Sequence, residues 1–208
     1  MLPFRVSGTG TPTESLLIVG VPGEDLPADA DAGMVQIFRV TSTRAVTERP
    51  RIHQDIPGVD GGTEPGDLLG EGLAVVNTAP NATTTAATVL LAVGVPGEDL
   101  GDERDAGAVQ TFPLSGAPGE GDVWIEQGGD TGIDGDIGPQ EYVGTSVAAT
   151  STALYVGIPY GSAATGPCTG CPGPMSRPAS TPGTVQSWRP GEDGLPADDV
   201  TAFGAVVR

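Results

Sequence analysis

The stretch Leu17-Ile-Val-Gly-Val-Pro-Gly-Glu-Asp-Leu26 returns as Leu91-Ala-Val-Gly-Val-Pro-Gly-Glu-Asp-Leu100, 74 positions further along the chain. The same offset of 74 joins landmarks outside this stretch, namely Gly20 with Gly94, Gly33 with Gly107, Gly58 with Gly132, Asp60 with Asp134 and Gly70 with Gly144. A fixed period of this length indicates one supersecondary unit that is copied and stacked. The repeat therefore predicts the architecture of the 208-residue chain before any single residue is interpreted.

Each copy contains short apolar, β-branched runs between Gly, Pro and Asp turns, and no amphipathic helical stretch. This pattern predicts an all-β chain with four strands in each copy. The first strand follows a bulky residue and a glycine, and the second is the apolar run at 16–21, 89–95 and 153–158. The third strand is predicted at 34–38, 108–112 and 184–188, and the fourth near 51–54 and 123–127. Four-stranded antiparallel sheets that recur in this way are typical of β-propeller blades.

The copies divide the chain into repeat 1 (residues 1–68), repeat 2 (69–142), repeat 3 (143–202) and the start of another repeat (203–208). Together they predict a partial β-propeller over residues 1–208. Propellers close with roughly four to eight blades, so three repeats do not complete a ring. Two interpretations stay open: the remaining blades belong to a longer chain, or two chains form a homodimer that completes the ring.

The chain is strongly acidic, with a net charge of −18 and nine basic residues, all of them Arg. Such a charge repels a phosphate backbone, so no nucleic-acid partner is expected. No run approaches the 18 or more apolar residues that a membrane span requires, so no membrane insertion is expected. Aromatic residues make up only 4% of the chain, which leaves Val, Leu, Ile and Ala to form the core.

Both cysteines, Cys168 and Cys171, lie in a Pro- and Gly-rich segment of repeat 3. A disulfide between them within a loop is the favoured interpretation, and it indicates an oxidising compartment. A zinc site would need four ligands, which two cysteines and the distant His53 do not supply. A thioredoxin-type pair would need a βαβ setting that is absent. Free thiols remain an alternative.

These landmarks resemble the FG-GAP repeat of integrin-α-like β-propellers, in particular that of secreted actinobacterial proteins. The opening FG element is matched by Phe203-Gly204 and more weakly by Leu69-Gly70 and Val143-Gly144. The GAP element is matched at 19–23, 93–97 and 156–159. The positions to which we assign a structural role in this motif are Gly20, Pro22, Gly23, Gly33, Gly70, Gly94, Pro96, Gly97, Gly107, Gly144, Gly157, Pro159, Gly183, Phe203 and Gly204.

The resemblance implies a non-catalytic module for recognition or adhesion, secreted or at the cell surface, with a protein or glycan ligand bound by the loops between strands. An accessory propeller of a secreted hydrolase is one alternative. A sugar-binding propeller is another, but it would favour aromatic residues at matching loop positions, and Trp124 and Trp188 do not match.

Many members of this family carry a calcium loop of the Asp-x-Asp-x-Asp-Gly type between the first and second strands. Residues 77–88 occupy that place here and contain no carboxylate, whereas calcium takes six to eight oxygen ligands. No cofactor is therefore expected. Asp130, Asp134 and Asp136 form the alternative calcium site, and a turn into the next repeat is the favoured interpretation of that segment.

The repeated Glu24-Asp25 and Glu98-Asp99 pairs, followed by Asp31 and Asp105, place three carboxylates in one loop of each copy. They indicate either a cation site or a turn in which Asp side chains cap backbone N–H groups. We favour the turn, since Pro-Gly suits the centre of a type II turn.

No catalytic constellation emerges from the chain. His53 is the only histidine, and no nucleophile elbow surrounds Ser146. Phosphate loops and dinucleotide fingerprints are also missing from the sequence. We therefore expect a chain that is not an enzyme.

Overall fold

The computed structural model describes residues 2–6, 14–128, 133, 135–160, 168–172 and 186–188, and for 2–6, 168–172 and 186–188 it describes the backbone alone. Strands dominate this part of the chain, and its single short 3-10 helix spans Ala86–Thr88. The strands are β1 Leu2–Val6, β2 Glu14–Val21, β3 Met34–Thr41, β4 Val46–Glu48, β5 Leu73–Asn77, β6 Val89–Val95, β7 Ala108–Pro113, β8 Val123–Ile125, β9 Val147–Ala149, β10 Ala153–Gly157, β11 Cys168–Pro172 and β12 Gln186–Trp188.

The strands form three four-stranded sheets, each a meander in which consecutive strands pair. Sheet 1 contains β1 to β4, sheet 2 contains β5 to β8, and sheet 3 contains β9 to β12. Every paired strand runs antiparallel to its neighbour. The predicted all-β class and the antiparallel sheets are confirmed, and the second strands lie within a residue or two of their predicted bounds.

The fourth strand of repeat 1 begins earlier in the chain than predicted. It is β4, at 46–48, whereas in the predicted segment 51–54 only Ile52 bridges back, to Val35. The cause is a tight reversal directly after β3. The Ala45 N–H donates to Thr41 Oγ1 (3.1 Å), and Arg44 adopts a left-handed φ of 67°. The chain therefore turns back at once and pairs before it reaches the predicted segment.

The third strand of repeat 3 was also misplaced. β11 contains both cysteines and pairs with β10 from Cys168 opposite Gly157 to Pro172 opposite Ala153. Residues 186–188, predicted as the third strand, form the fourth. The cysteine segment was interpreted as a loop because it is rich in Pro and Gly, yet its backbone is part of the sheet. The cysteine side chains lie outside the described residues, so the disulfide stays a prediction.

The sheets pack against one another through two apolar cores. The core between sheets 1 and 2 is lined by Leu16, Ile18, Val35, Ile37, Ile52, Val59, Leu69, Val89, Leu91, Val93, Val95, Phe112 and Leu114. The core between sheets 2 and 3 is lined by Ala74, Ala92, Val109, Ile125, Ile133, Val143, Val147, Leu154, Val156 and Ile158. Side chains of a strand alternate between its two faces, so β6 contributes Leu91 and Val93 to the first core and Ala92 to the second.

In the part of the chain that the structure describes, the equivalent strand of sheet 1 is fully covered on one face only. Leu16 and Ile18 of β2 are buried against sheet 2, whereas Leu17 and Val19 are half-buried. Their counterparts in repeat 2, Leu91 and Val93, are fully buried because sheet 1 packs on them. The same motif therefore has two environments in one chain, and this difference provides matched pairs of positions for the experiments below.

Candidate functional site

The segment that leads into each of sheets 2 and 3 is hydrogen-bonded to a loop of the preceding sheet, and the last bond of each set crosses into the next repeat. We call these two places junction 1 and junction 2. At junction 1 the segment 66–69 donates to the loop 30–32, and at junction 2 the segment 140–143 donates to the loop 104–106. At junction 1 the backbone N–H groups donate to carbonyl oxygens from Gly66 to Ala30 (2.9 Å), from Leu68 to Asp31 (3.1 Å) and from Leu69 to Ala32 (3.0 Å). At junction 2 they donate from Gln140 to Arg104 (2.7 Å), from Tyr142 to Asp105 (3.0 Å) and from Val143 to Ala106 (3.0 Å). Each donor and acceptor recurs 74 positions later, so the sequence period is a period of these contacts.

Glycines allow the backbones to approach closely at both junctions. A Cβ on Gly20 would overlap the carbonyl oxygen of Gly70, and one on Gly94 would overlap that of Gly144. Gly70 and Gly144 also have left-handed φ angles of 100° and 90°, which residues with a side chain rarely adopt. These contacts give the motif glycines a packing role between repeats.

Other motif glycines have separate structural roles. Gly33 and Gly107, with φ of 85° and 83°, form parallel bridges to Leu69 and Val143 across the junctions. In sheet 3, the Gly157 N–H donates to Ser146 O (2.9 Å). Pro22 is half-buried, whereas Pro96 and Pro159 are buried. Gly183, Phe203 and Gly204 lie outside the described residues.

The Pro-Gly turns are not of type II. The Glu24 N–H donates to Val21 O (3.1 Å), and Glu98 N–H to Val95 O (3.3 Å), so both turns form. A type II turn needs a positive φ at its third residue, and neither Gly23 nor Gly97 has one. Position 97 requires glycine for a different reason: a Cβ there would overlap the Gly66 carbonyl oxygen of the neighbouring repeat.

The aspartate that follows each Pro-Gly-Glu motif accepts a hydrogen bond from a backbone N–H group of its own loop. Asp25 Oδ1 accepts from the Asp31 N–H (3.0 Å), and Asp99 Oδ1 accepts from the Asp105 N–H (2.9 Å). Asp31 and Asp105 have left-handed φ angles of 54° and 52°, a conformation that Asp tolerates better than most residues. The structure thus agrees with the turn interpretation of these carboxylates, including the capping of backbone N–H groups.

A buried group of polar side chains at junction 1 was not predicted from the sequence. Asp67 has no exposed surface, Gln54 is 5% exposed and Glu98 is 7% exposed. Gln54 Nε2 donates to Glu98 Oε2 (3.0 Å), and Asp67 Oδ2 accepts from the Glu64 N–H (2.6 Å). We call Asp67, Glu98 and Gln54 the junction-1 carboxyl cluster.

Burial raises the pKa of both acids in this cluster. For Asp67, the loss of hydration raises the pKa from 3.8 to about 7, and the negative charges of Glu64, Asp29 and Asp99 act in the same direction. For Glu98, burial raises the pKa from 4.5 to about 8, against the hydrogen bond from Gln54 and with the charges of Asp67, Glu64 and Asp99. Desolvation disfavours the ionised form of a carboxyl, so both acids stay protonated at pH values well above those at which exposed carboxyls ionise.

One sequence signal for this cluster was available. An acidic residue stands three positions before each of two motif glycines, as Asp67 before Gly70 and Glu141 before Gly144. Both acids are buried, and Glu141 is 1% exposed. A carboxyl that recurs beside a packing glycine indicates a position at the junction. Glu98 carried no such signal, because its repeat-1 counterpart Glu24 is only half-buried.

The alternative calcium residues are only partly described. Asp130 and Asp134 lie outside the described residues, and Asp136 is exposed. Ile133 between them is buried in the second core, as its counterpart Val59 is in the first. Within the described part of the chain, no three His, Cys, Asp or Glu side chains are placed to hold a metal ion.

No catalytic arrangement is assembled by the residues singled out from the sequence. His53 lies in repeat 1, half-buried beside the Ile52 bridge, and Ser146 lies in repeat 3 just before β9. A cleft of about 50 Å³ between sheets 1 and 2 is lined by apolar side chains such as Ile37 and Phe112, with Arg49 and Glu120. That volume holds a few water molecules, whereas small-molecule sites span roughly 300–1,000 Å³.

No protein-family model and no curated protein sequence matches the chain. Over the described residues, no helix has the length and apolar character that crossing a membrane requires. The resemblance to FG-GAP propellers therefore depends on the residues of the chain itself.

Proposed function

We propose that the three sheets are blades of an FG-GAP-type β-propeller, and that this propeller is a secreted or cell-surface module for recognition or adhesion without catalytic activity. The observation that carries the proposal is the recurrence of the same junction, bond for bond, between successive four-stranded meanders. The first strands also contact one another in succession, β1 with β5 and β5 with β9. Blades arranged around a central channel bring their strands together in this order.

The ligand surface that we propose consists of the two acidic loops, residues 24–31 and 98–105. The first contains four acids and no base, which gives a charge of −4. The second contains five acids and Arg104, which gives a charge of −3 while the buried Glu98 holds its proton. The loops flank one another at residues 66–67, because the Gly66 N–H donates to Ala30 O in the first loop and Asp67 O accepts from the Gly97 N–H beside the second. Loops carried on a rigid scaffold commonly supply a binding surface.

Two properties support a ligand with a basic surface. Asp31 and Asp102 are exposed at the loops, and complementary charge speeds association and selects partners. The loops are also held in shape before binding, since each has an Asp cap and a reciprocal pair of backbone bonds, between Leu26 and Asp29 in one loop and between Leu100 and Glu103 in the other. Such preorganisation lowers the entropic cost of binding.

The test measures binding of the chain to a fluorescent nona-arginine peptide by anisotropy. The double variant Asp31→Asn with Asp102→Asn removes two loop charges, and the control Glu48→Gln with Glu120→Gln removes two charges from exposed acids outside the loops. At up to about 1 kcal/mol for each lost charge contact, the loop variant should bind about five- to tenfold more weakly. The control should change the affinity less than twofold. Equal losses would show that the peptide responds to net charge alone and would refute the loops as the ligand surface.

The origin of the remaining blades is tested by light scattering on the isolated chain. A ring formed by two copies predicts a stable dimer, whereas a propeller completed by further blades of a longer chain predicts a monomer. We favour the longer chain, because each junction joins consecutive repeats of a single chain.

A further inference from the structure

The junction-1 carboxyl cluster spans the boundary between two repeats. Asp67 and Gln54 belong to repeat 1, and Glu98 belongs to repeat 2. The side-chain bond from Gln54 to Glu98 crosses this boundary, and beside it the Gly97 N–H donates to the Asp67 carbonyl (3.1 Å). The cluster therefore lies directly at the contact between the two repeats.

The cluster contains more hydrogen-bond acceptors than donors. Gln54 Oε1 and Asp67 Oδ1 are buried and have no hydrogen-bond partner among the residues that the structure describes. An ionised carboxylate only accepts, whereas a protonated carboxyl carries one O–H donor. Buried acceptors without donors are rare and costly. Protons on Asp67 and Glu98 would supply the donors that the cluster lacks.

Neither carboxyl has a cationic partner within the described residues. The two ion pairs there, Arg39 with Glu14 and Arg51 with Glu48, are formed elsewhere in repeat 1. The charged groups that act on Asp67 and Glu98 are acidic: Glu64 and Asp29 from repeat 1 and Asp99 from repeat 2. A buried charge without a counter-ion is unfavourable because its lost hydration is not replaced, so ionisation of the cluster opposes the closed junction.

We propose that junction 1 is a pH-operated latch, which is closed while Asp67 and Glu98 carry protons and loosens when both carboxyls ionise. In the open junction, water reaches both groups and their pKa values return to the ordinary range near 4. The closed state then binds more protons than the open state between about pH 4 and pH 8. The stabilisation is complete below this window, decreases as the pH rises through it, and is absent above it.

Junction 2 does not repeat the carboxyl pair. Glu141 takes the place of Asp67, but Gly161 stands in the sequence where repeat 2 has Glu98. The latch is thus a property of junction 1, and the two junctions of one chain should respond differently to pH.

The test is hydrogen exchange of the folded chain between pH 5 and pH 9, corrected for the intrinsic exchange rate at each pH. The reporters are the amides of Leu69 and Gly97, whose bonds to Ala32 O and Asp67 O cross from one repeat to the other. Between pH 5 and pH 7, their opening constant should rise by up to tenfold per pH unit for each carboxyl that ionises on opening. An opening constant that does not change across this pH range would overturn the proposed latch.

Three variants assign the effect to its residues. Glu98→Gln should remove about half of the pH slope at junction 1, while Glu24→Gln, the same change at the matching position of repeat 1, should leave the slope intact. His53→Gln should also leave it intact, which separates the carboxyls from the neighbouring imidazole. An unchanged slope in Glu98→Gln would refute the proposal.

A second measurement decides the outcome if Glu98→Gln does not fold. Carbon-13 NMR of the unmodified chain follows the side-chain carboxyl signals of Asp67 and Glu98 directly. Titration midpoints above pH 6 for both groups are the expected result, and midpoints below pH 5 would overturn the latch. The peptide-binding experiment on the acidic loops is independent of this result.

Discussion

Replacement of Gly97 by Ala tests the junction packing, and Gly23→Ala is its matched control. The two glycines occupy the same place in the repeated motif. A Cβ on Gly97 would overlap the Gly66 carbonyl oxygen and would lie 3.2 Å from Asp67 Cα, both in the backbone of the neighbouring repeat. A Cβ on Gly23 would meet only Asp31 Oδ1, at an ordinary 3.5 Å.

The expected cost at Gly97 has two parts. Overpacking against backbone that cannot rotate away costs about 1–3 kcal/mol. The displaced turn also weakens the bond from Gly97 N–H to Asp67 O, at about 1 kcal/mol. Because neither glycine has a positive φ, Ala gains about 0.4–1 kcal/mol at both sites through the unfolded chain. Gly97→Ala should therefore lose about 2–3 kcal/mol, whereas Gly23→Ala should be neutral or slightly stabilising.

Urea denaturation followed by tryptophan fluorescence measures both variants, in a Trp188→Phe background that leaves Trp124 as the reporter. Trp124 packs against the core between sheets 1 and 2, and its signal reports on this junction. An unchanged m-value shows that the same surface unfolds in both variants, so that the midpoints compare stability. Losses that agree within about 0.5 kcal/mol would refute the reasoning, since the local turn is common to both sites and only the neighbouring repeat differs.

Two further substitutions use the same contrast between covered and uncovered positions. Phe112→Ala should lower the free energy of unfolding by about 3–5 kcal/mol in urea denaturation, because Phe112 is 2% exposed in the first core and its removal leaves a cavity. Its counterpart Phe38 is half-buried, so Phe38→Ala should lose less than half as much. Equal losses would contradict the packing of the first core. Gly94→Val places a branched side chain against the Gly144 carbonyl and should abolish cooperative unfolding of sheets 2 and 3, as measured by circular dichroism; a variant with unchanged stability would show that this contact is not required.

The apolar runs and the repeat period were sufficient to predict the all-β class and most strand positions. β6 at Val89–Val95 coincides with its predicted bounds, since an apolar run between turns is unambiguous when no helical period competes. The failures arose where pairing depended on something other than composition. The turn at 41–45 sets the start of β4 through backbone hydrogen bonds between Thr41 and Ala45 and from Arg44 to Thr41, together with the Thr41 hydroxyl. β11 formed in a segment whose Pro and Gly content indicated a loop.

The candidate site was harder to predict, because its chemistry depends on burial. Glu24 and Glu98 have identical sequence neighbours from Val19–Leu26 to Val93–Leu100, and yet only Glu98 is covered by another repeat. Sequence reasoning treated them alike, as turn residues. Glu24 is half-buried and Glu98 is buried because a neighbouring sheet packs beside Glu98. The local sequence does not encode this difference.

The junctions are formed largely by main-chain atoms, through the Gly20–Gly70 and Gly94–Gly144 contacts and the bonds that recur beside them. Main-chain complementarity is indifferent to most side-chain changes, so a duplicated copy of residues 69–142 would meet a matching edge on either side. Gene duplication can thus lengthen such an array by whole repeats. The loops of each new repeat can then change in sequence while the main-chain junctions are kept.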